Sequence, residues 1–200
     1  MIYKMLRAIN NLLYRRKDPT RLWRADAARV SIDLRRCTLC GRNLGTVSAG
    51  AGAEMECLGA TEDAKKASRG YLEWYSKGVY ALLDADRLYD FTVIVAGGQG
   101  SRYGSYTGKF LREGQELMVS RETTAENILE WLGEPFAKSE RDDLVLFYEY
   151  GEGEVQYAFD EDWKLESVEF GYEPELGVKK AREYYGIERE LPAEFNRTLG

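Results

Sequence analysis

The chain has 200 residues, with 28 Lys and Arg against 34 Asp and Glu and a formal charge of −6. Hydrophobic residues at 44% and charged residues at 31% describe a globular protein rather than a disordered, collagen-like or low-complexity one. It contains no histidine, which excludes Ser-His-Asp and Cys-His catalysis, His-bearing zinc sites and any imidazole acid–base pair.

Residues 1–17 place Ile2, Met5, Leu6, Ile9, Leu12 and Leu13 at helical spacing with basic residues between them. Arg7, Asn10 and Asn11 interrupt the apolar core that a secretory signal needs, and no stretch approaches the ~20 apolar residues of a membrane span. A basic amphipathic helix docked on the domain is the expectation, with a place on a membrane surface as the alternative. A cytoplasmic location, with no membrane partner, follows from that choice. Val30, Ile32 and Leu34 then alternate as a strand does and run into Cys37-Thr38-Leu39-Cys40. Cys37, Cys40 and Cys57 are an odd set, and a zinc site built on them lacks a fourth ligand. Buried, inert thiols are expected, with no metal and no cofactor.

From here the chain reads as two copies of one unit. Leu58-Gly59 stands beside Leu132-Gly133, residues 79–84 beside 155–160, and Leu88 and Phe91 beside Leu165 and Val168. Each unit reads as a helix ending in Leu-Gly, a strand, a turn, a strand, an Asp-x-Asp turn and a strand. In the second unit Ser120 or Thr123 can cap a helix carrying Ala125, Ile128, Leu129 and Leu132. Gly133 suits its end, and Pro135 prevents its continuation. Val155, Tyr157 and Phe159 alternate with Gln156, Ala158 and Asp160, giving a strand with one apolar face. Three strands with one apolar face need their helix on that face. The predicted class is α+β: two related modules, each a helix packed on an antiparallel three- to four-stranded meander.

The predicted organisation is a basic helix and lead-in strand over 1–36, a first module over 37–96, a Gly-rich loop and connecting strand over 97–112, a second module over 113–174, and a closing helix and weakly ordered tail over 175–200. The Gly-rich run fits no phosphate-binding pattern. Gly98-Gln99-Gly100-Ser101-Arg102-Tyr103 lacks the third glycine of the dinucleotide fingerprint. Gly104 to Phe110 is one residue short of a phosphate loop, with Phe110 where a magnesium-binding hydroxyl belongs. A mobile loop is the expectation.

The helix ending in Leu132-Gly133-Glu134-Pro135, followed by Tyr157-Ala158-Phe159-Asp160 and Leu165, is similar to the helix-plus-sheet module of the small outer-membrane assembly lipoproteins. The beta-lactamase inhibitor fold looks like a tandem duplication of such a module, and bacterial immunity proteins carry similar ones. The resemblance covers roughly residues 40–172 and implies a protein that binds another protein. It transfers no contact residue, and residues 1–36 have no counterpart in it.

Charge distribution points the same way. Residues 1–45 hold eleven Lys and Arg against three acids, whereas residues 140–176 hold thirteen acids against Arg141 and Lys164. An overall negative chain repels nucleic acid, and an acidic region captures a basic partner with fast, salt-sensitive association. Aromatic residues on an outward sheet face would anchor such a partner. The candidate partner-binding residues are Trp74, Tyr75, Tyr80, Tyr148, Tyr150, Glu152, Glu154, Asp160 and Asp162; no catalytic residue is assigned. The expected function is non-enzymatic: an immunity-type inhibitor of a cognate, basic bacterial toxin, with a structural or assembly scaffold as the alternative.

Overall fold

The computed structural model describes residues 5–6, 9, 12–36, 38–43, 53–84, 87–97, 101–140, 143–150, 153–171 and 179–187. Twelve strands run through them: β1 (Ser31–Asp33), β2 (Thr38–Leu39), β3 (Arg42–Asn43), β4 (Tyr71–Trp74), β5 (Val79–Asp84), β6 (Arg87–Ile94), β7 (Lys109–Arg112), β8 (Gln115–Leu117), β9 (Ala137–Ser139), β10 (Val145–Tyr150), β11 (Gly153–Phe159) and β12 (Leu165–Gly171). The helices are α1 (Ala64–Ala67), α2 (Ala125–Leu132) and α3 (Lys179–Tyr185), with a 3-10 segment at Ala53–Leu58. The class is α+β, as the alternation patterns predict.

The larger sheet is wholly antiparallel, in the order β4-β5-β6-β12-β11-β10-β9. Its register sorts the side chains into two faces. Leu72, Ala81, Phe91, Phe170, Val155 and Tyr148 form one row across the sheet, and all are buried. The neighbouring row points the other way and reads Glu73, Tyr80, Thr92, Glu169, Gln156 and Phe147. The first row faces α2, whose Ala125, Ile128 and Leu132 are buried. Thr124 and Asn127 close a capping box at the start of that helix, satisfying backbone N–H groups that the first turn leaves unpaired.

Two three-stranded meanders, β4-β5-β6 and β10-β11-β12, meet along β6 and β12. The elements before them are unlike. A 3-10 segment and the four-residue α1 precede β4, where a helix ending at Leu58 was expected, while the eight-residue α2 precedes the second meander.

The smaller sheet has the order β3-β2-β1-β7-β8, with β1 and β7 parallel. It places the Gly-rich segment between the sheets. Gly78, at φ 62, lets that segment approach: a Cβ there would lie 2.3 Å from the Gly104 carbonyl oxygen and 2.6 Å from the Tyr106 nitrogen.

The described part of the Gly-rich segment is packed, which corrects the mobile loop expected. Gly104 donates to the Tyr75 carbonyl at 2.8 Å and Tyr106 to the Ile94 carbonyl at 2.6 Å, and the run leads into strand β7 rather than a helix. Residues 98–100 lie outside the described residues, as do 188–200 of the expected tail.

Two further expectations are corrected. Cys40 and Cys57 form a disulfide rather than remaining thiols, tying the end of β2 to the 3-10 segment; Cys37 lies outside the described residues. At the amino terminus, Met5, Leu6, Ile9 and residues 12–14 are helical, but the apolar side chains of Met5, Leu6, Ile9, Leu12 and Leu13 are exposed, not docked. No helix among the described residues is long and apolar enough to cross a membrane.

Candidate functional site

The turn between β11 and β12 carries Asp160-Glu161-Asp162-Trp163. Asp160 builds it: its Oδ1 accepts from the backbone N–H of Asp162 and of Lys164, each at 3.0 Å. The Trp163 N–H donates to the Asp160 carbonyl at 2.9 Å. A carboxylate that accepts from its own turn is the usual reason for Asp at this position. Asp160 is thus a turn-forming residue, while Glu161 and Asp162 remain exposed.

Trp163 follows them in the left-handed region, at φ 62, and its side chain is 49% exposed. A bulky residue is held there only when its surroundings over-determine it. Those surroundings are visible. Lys164 bridges to Thr124 and its Nζ pairs with Glu122 at 2.5 Å, while Leu165 N–H donates to the Thr123 carbonyl at 2.7 Å. The tip is therefore stapled to the start of α2, and an indole with two carboxylates beside it is presented on a fixed turn. The Asp-x-Asp pattern marks the turn but does not single out Trp163, whose left-handed backbone is visible only in the structure.

The other predicted residues divide. Trp74 is 1% exposed, stacks on Trp23 with ring centroids 6.4 Å apart, and donates through Nε1 to the Gly59 carbonyl at 2.8 Å. Tyr148 is buried edge-on against Tyr157, and its hydroxyl donates to the Gly133 carbonyl at 2.7 Å. Both belong to the apolar face, not to an outward one. Burial pushes the Tyr148 phenol up to about 12. Glu154 is buried on the opposite face, where its carboxylate accepts from Gln156 at 2.8 Å. Tyr150 lies in β10, opposite Gly153. Glu152 lies outside the described residues.

Tyr75 and Tyr80 meet in a second cluster, around Glu73. This carboxylate is buried and accepts from Lys66 Nζ and Tyr103 hydroxyl, each at 2.7 Å, and from Tyr75 hydroxyl and Arg102. Burial alone would raise the Glu73 carboxyl, but the bonds from Lys66, Tyr75 and Tyr103 hold it below its ordinary value. Arg102 lies over the Tyr75 and Tyr103 rings, 4.8 and 5.3 Å from their centroids, and Tyr103 also touches Tyr80 at 5.7 Å. Burial, followed by the bond to Glu73, pushes the Tyr103 phenol up to about 12, against the opposing pull of Arg102. Glu73 gathers donors from α1, β4's neighbour Tyr75 and the Gly-rich segment, and so clamps that segment onto the sheet. Tyr75 and Tyr80 are thereby used inside the molecule.

Of the predicted residues whose side chains are described, Asp160 and Asp162 lie in an exposed acidic tip, where Asp160 sets the turn that presents Glu161, Asp162 and Trp163. No group of three or more acidic or cysteine side chains able to hold a metal occurs among the described residues.

No family model and no curated protein matches the chain. Among solved structures, a DUF4309 family protein (YjgB) from Bacillus subtilis subsp. subtilis str. 168 is similar at a TM-score of 0.33 and 14% identity, over 50% of this chain and 62% of that one. This chain thus spans less than two thirds of that protein, and no functional statement follows from the likeness.

Proposed function

We propose that the protein is a non-enzymatic binding module that grips a basic protein partner through the β11–β12 tip, in the manner of an immunity-type inhibitor of a bacterial toxin. The observation that carries this reading is Trp163, half exposed and held at φ 62 directly after the exposed acids Glu161 and Asp162. Exposed tryptophan is enriched among the anchors that dominate interface energies, and the stapled turn lowers the ordering cost of engaging it. The surrounding acidic excess over residues 140–176 favours a basic partner. Tandem meanders of common origin, as in the inhibitor fold the sequence resembles, would give such a module its broad sheet.

The compartment belongs to the same proposal. A cytoplasmic site was the expectation, yet the Cys40–Cys57 disulfide favours a compartment that is more oxidising than the cytosol.

Affinity purification from the native host tests the reading. The intact chain should retain a stoichiometric basic protein that Trp163→Ala and Glu161→Gln/Asp162→Asn variants lose, and that protein's toxicity should be neutralised by the intact chain only. Equal retention by all three chains would remove the tip from the interface.

A further inference from the structure

Six large apolar side chains at the amino-terminal end are exposed although the whole described chain is folded beside them. Leu12 is 79%, Leu13 69% and Leu22 78% exposed, with Met5, Leu6 and Ile9 close behind. At about 100° per residue, Met5, Leu6, Ile9, Leu12 and Leu13 fall within an arc of roughly 120°. Isolated exposed leucines need no explanation, but five exposed apolar side chains at one helical spacing do.

Charge identifies what the stripe faces. Residues 1–17 carry Lys4, Arg7, Arg15, Arg16 and Lys17 and no acid. The first acid, Asp18, is buried, and its Oδ1 accepts from the backbone N–H and the hydroxyl of Thr20, both at 2.7 Å. Thr20 in turn accepts from the Thr61 N–H at 2.9 Å. That knot roots the segment in the body, while Arg15, Arg16, Lys17 and Arg21 stay exposed around the root. An apolar stripe among cations, in a stretch whose sequence holds no acid before the buried Asp18, fits a surface that is both greasy and uniformly negative.

We infer that the exposed side chains of Met5, Leu6, Ile9, Leu12, Leu13 and Leu22, together with Arg15, Arg16, Lys17 and Arg21, are a docking surface for the anionic face of a lipid bilayer. The apolar stripe enters the headgroup boundary, the arginines and lysine rest on lipid phosphates, and the Asp18–Thr20 knot fixes the body above the surface. This goes beyond the partner-binding reading and uses none of the tip residues.

Vesicle flotation of the full chain tests it, with vesicles of phosphatidylcholine alone or mixed with phosphatidylglycerol. The chain should float with the mixed vesicles at least ~tenfold more than with the neutral ones, and should be released as salt is raised from ~0.1 to ~1 M. Leu12→Glu/Leu13→Glu should abolish flotation, and Arg15→Glu/Arg16→Glu should bring mixed vesicles down to the neutral level. All four positions are exposed, so circular dichroism should show both variants folded. Failure to float with mixed vesicles, equal flotation with both kinds, or unchanged flotation of Leu12→Glu/Leu13→Glu would overturn the inference. So would sedimentation showing a dimer that Leu12→Glu/Leu13→Glu dissociates, because a second copy would then occupy the stripe.

Discussion

The Asp33 carboxylate accepts a hydrogen bond from the Gly114 N–H at 2.7 Å, across a sequence separation of 81 residues. Its other oxygen accepts from Arg35, Arg36 and Glu113. One side chain thus closes both the turn after β1 and the β7–β8 hairpin. Burial alone would raise its carboxyl, but the four backbone donors hold it below the ordinary value. The folded protein therefore binds the proton less readily than the unfolded chain. Asp33 contributes its full stability above the unfolded carboxyl value of ~4, and loses it as pH falls through the lower folded value. Asp33→Ala should cost about 2–3 kcal/mol at neutral pH, measured by urea denaturation. The gap between variant and parent should narrow as pH falls below ~4; a gap independent of pH would show that the charge is not what closes the turns.

Glu73 ties the Gly-rich segment to the sheet through Arg102 and Tyr103. Glu73→Gln removes the charge that both cations answer, so residues 101–106 should lose hydrogen-exchange protection at Gly104 and Tyr106 while β10 to β12 keep theirs. Tyr103 titrates with the opposite sign. Its phenol is raised above the unfolded ~10 to about 12, so its contribution is complete below ~10 and lost as pH rises through about 12. Ultraviolet titration should show one fewer late-ionising tyrosine in Tyr103→Phe.

The sequence carries the larger sheet openly because strand alternation is a local signal. Val79, Ala81, Val155, Tyr157 and Phe159 all lie on the face their alternation assigns. Tyr148 misleads because β10 is apolar on both faces: Phe147 packs against Tyr185 of α3 while Tyr148 packs against Tyr157. Parity cannot choose a face when both are covered. The parallel pairing of β1 with β7 joins segments far apart in the chain, and nothing in three- or four-residue strands announces it. The Glu73 cluster was equally hidden, since its members come from α1, β4, the 3-10 turn at Tyr75–Lys77 and the Gly-rich segment. Of the candidate site, the acids of the Asp-x-Asp turn were legible, whereas Trp163 needed its backbone angle to stand out.

Cys40 and Cys57 close a loop with a sequence separation of 17. Constraining an unfolded chain over such a loop stabilises the folded state by about 3 kcal/mol. Cys40→Ser/Cys57→Ser should lower stability by about that amount, and reduction of the intact chain should expose two additional titratable thiols. Unchanged stability on reduction would place this link outside the fold's support.

Trp163 separates binding from stability. An L-residue in the left-handed region costs roughly 1–2 kcal/mol, and glycine relieves it at the expense of a more flexible unfolded chain. Trp163→Gly should therefore leave the protein as stable as the parent, or more stable by up to about 1 kcal/mol, because the half-exposed indole contributes little to the core. Partner affinity should fall by at least tenfold, the signature of a lost aromatic anchor. Asp160→Ala should do the reverse in stability: it removes the acceptor for Asp162 and Lys164 N–H groups, so the turn loosens and about 1 kcal/mol is lost. Thermal unfolding and partner titration on the two variants distinguish the roles. If Trp163→Gly destabilises the fold while affinity is unchanged, the indole supports the turn and the partner reads another surface.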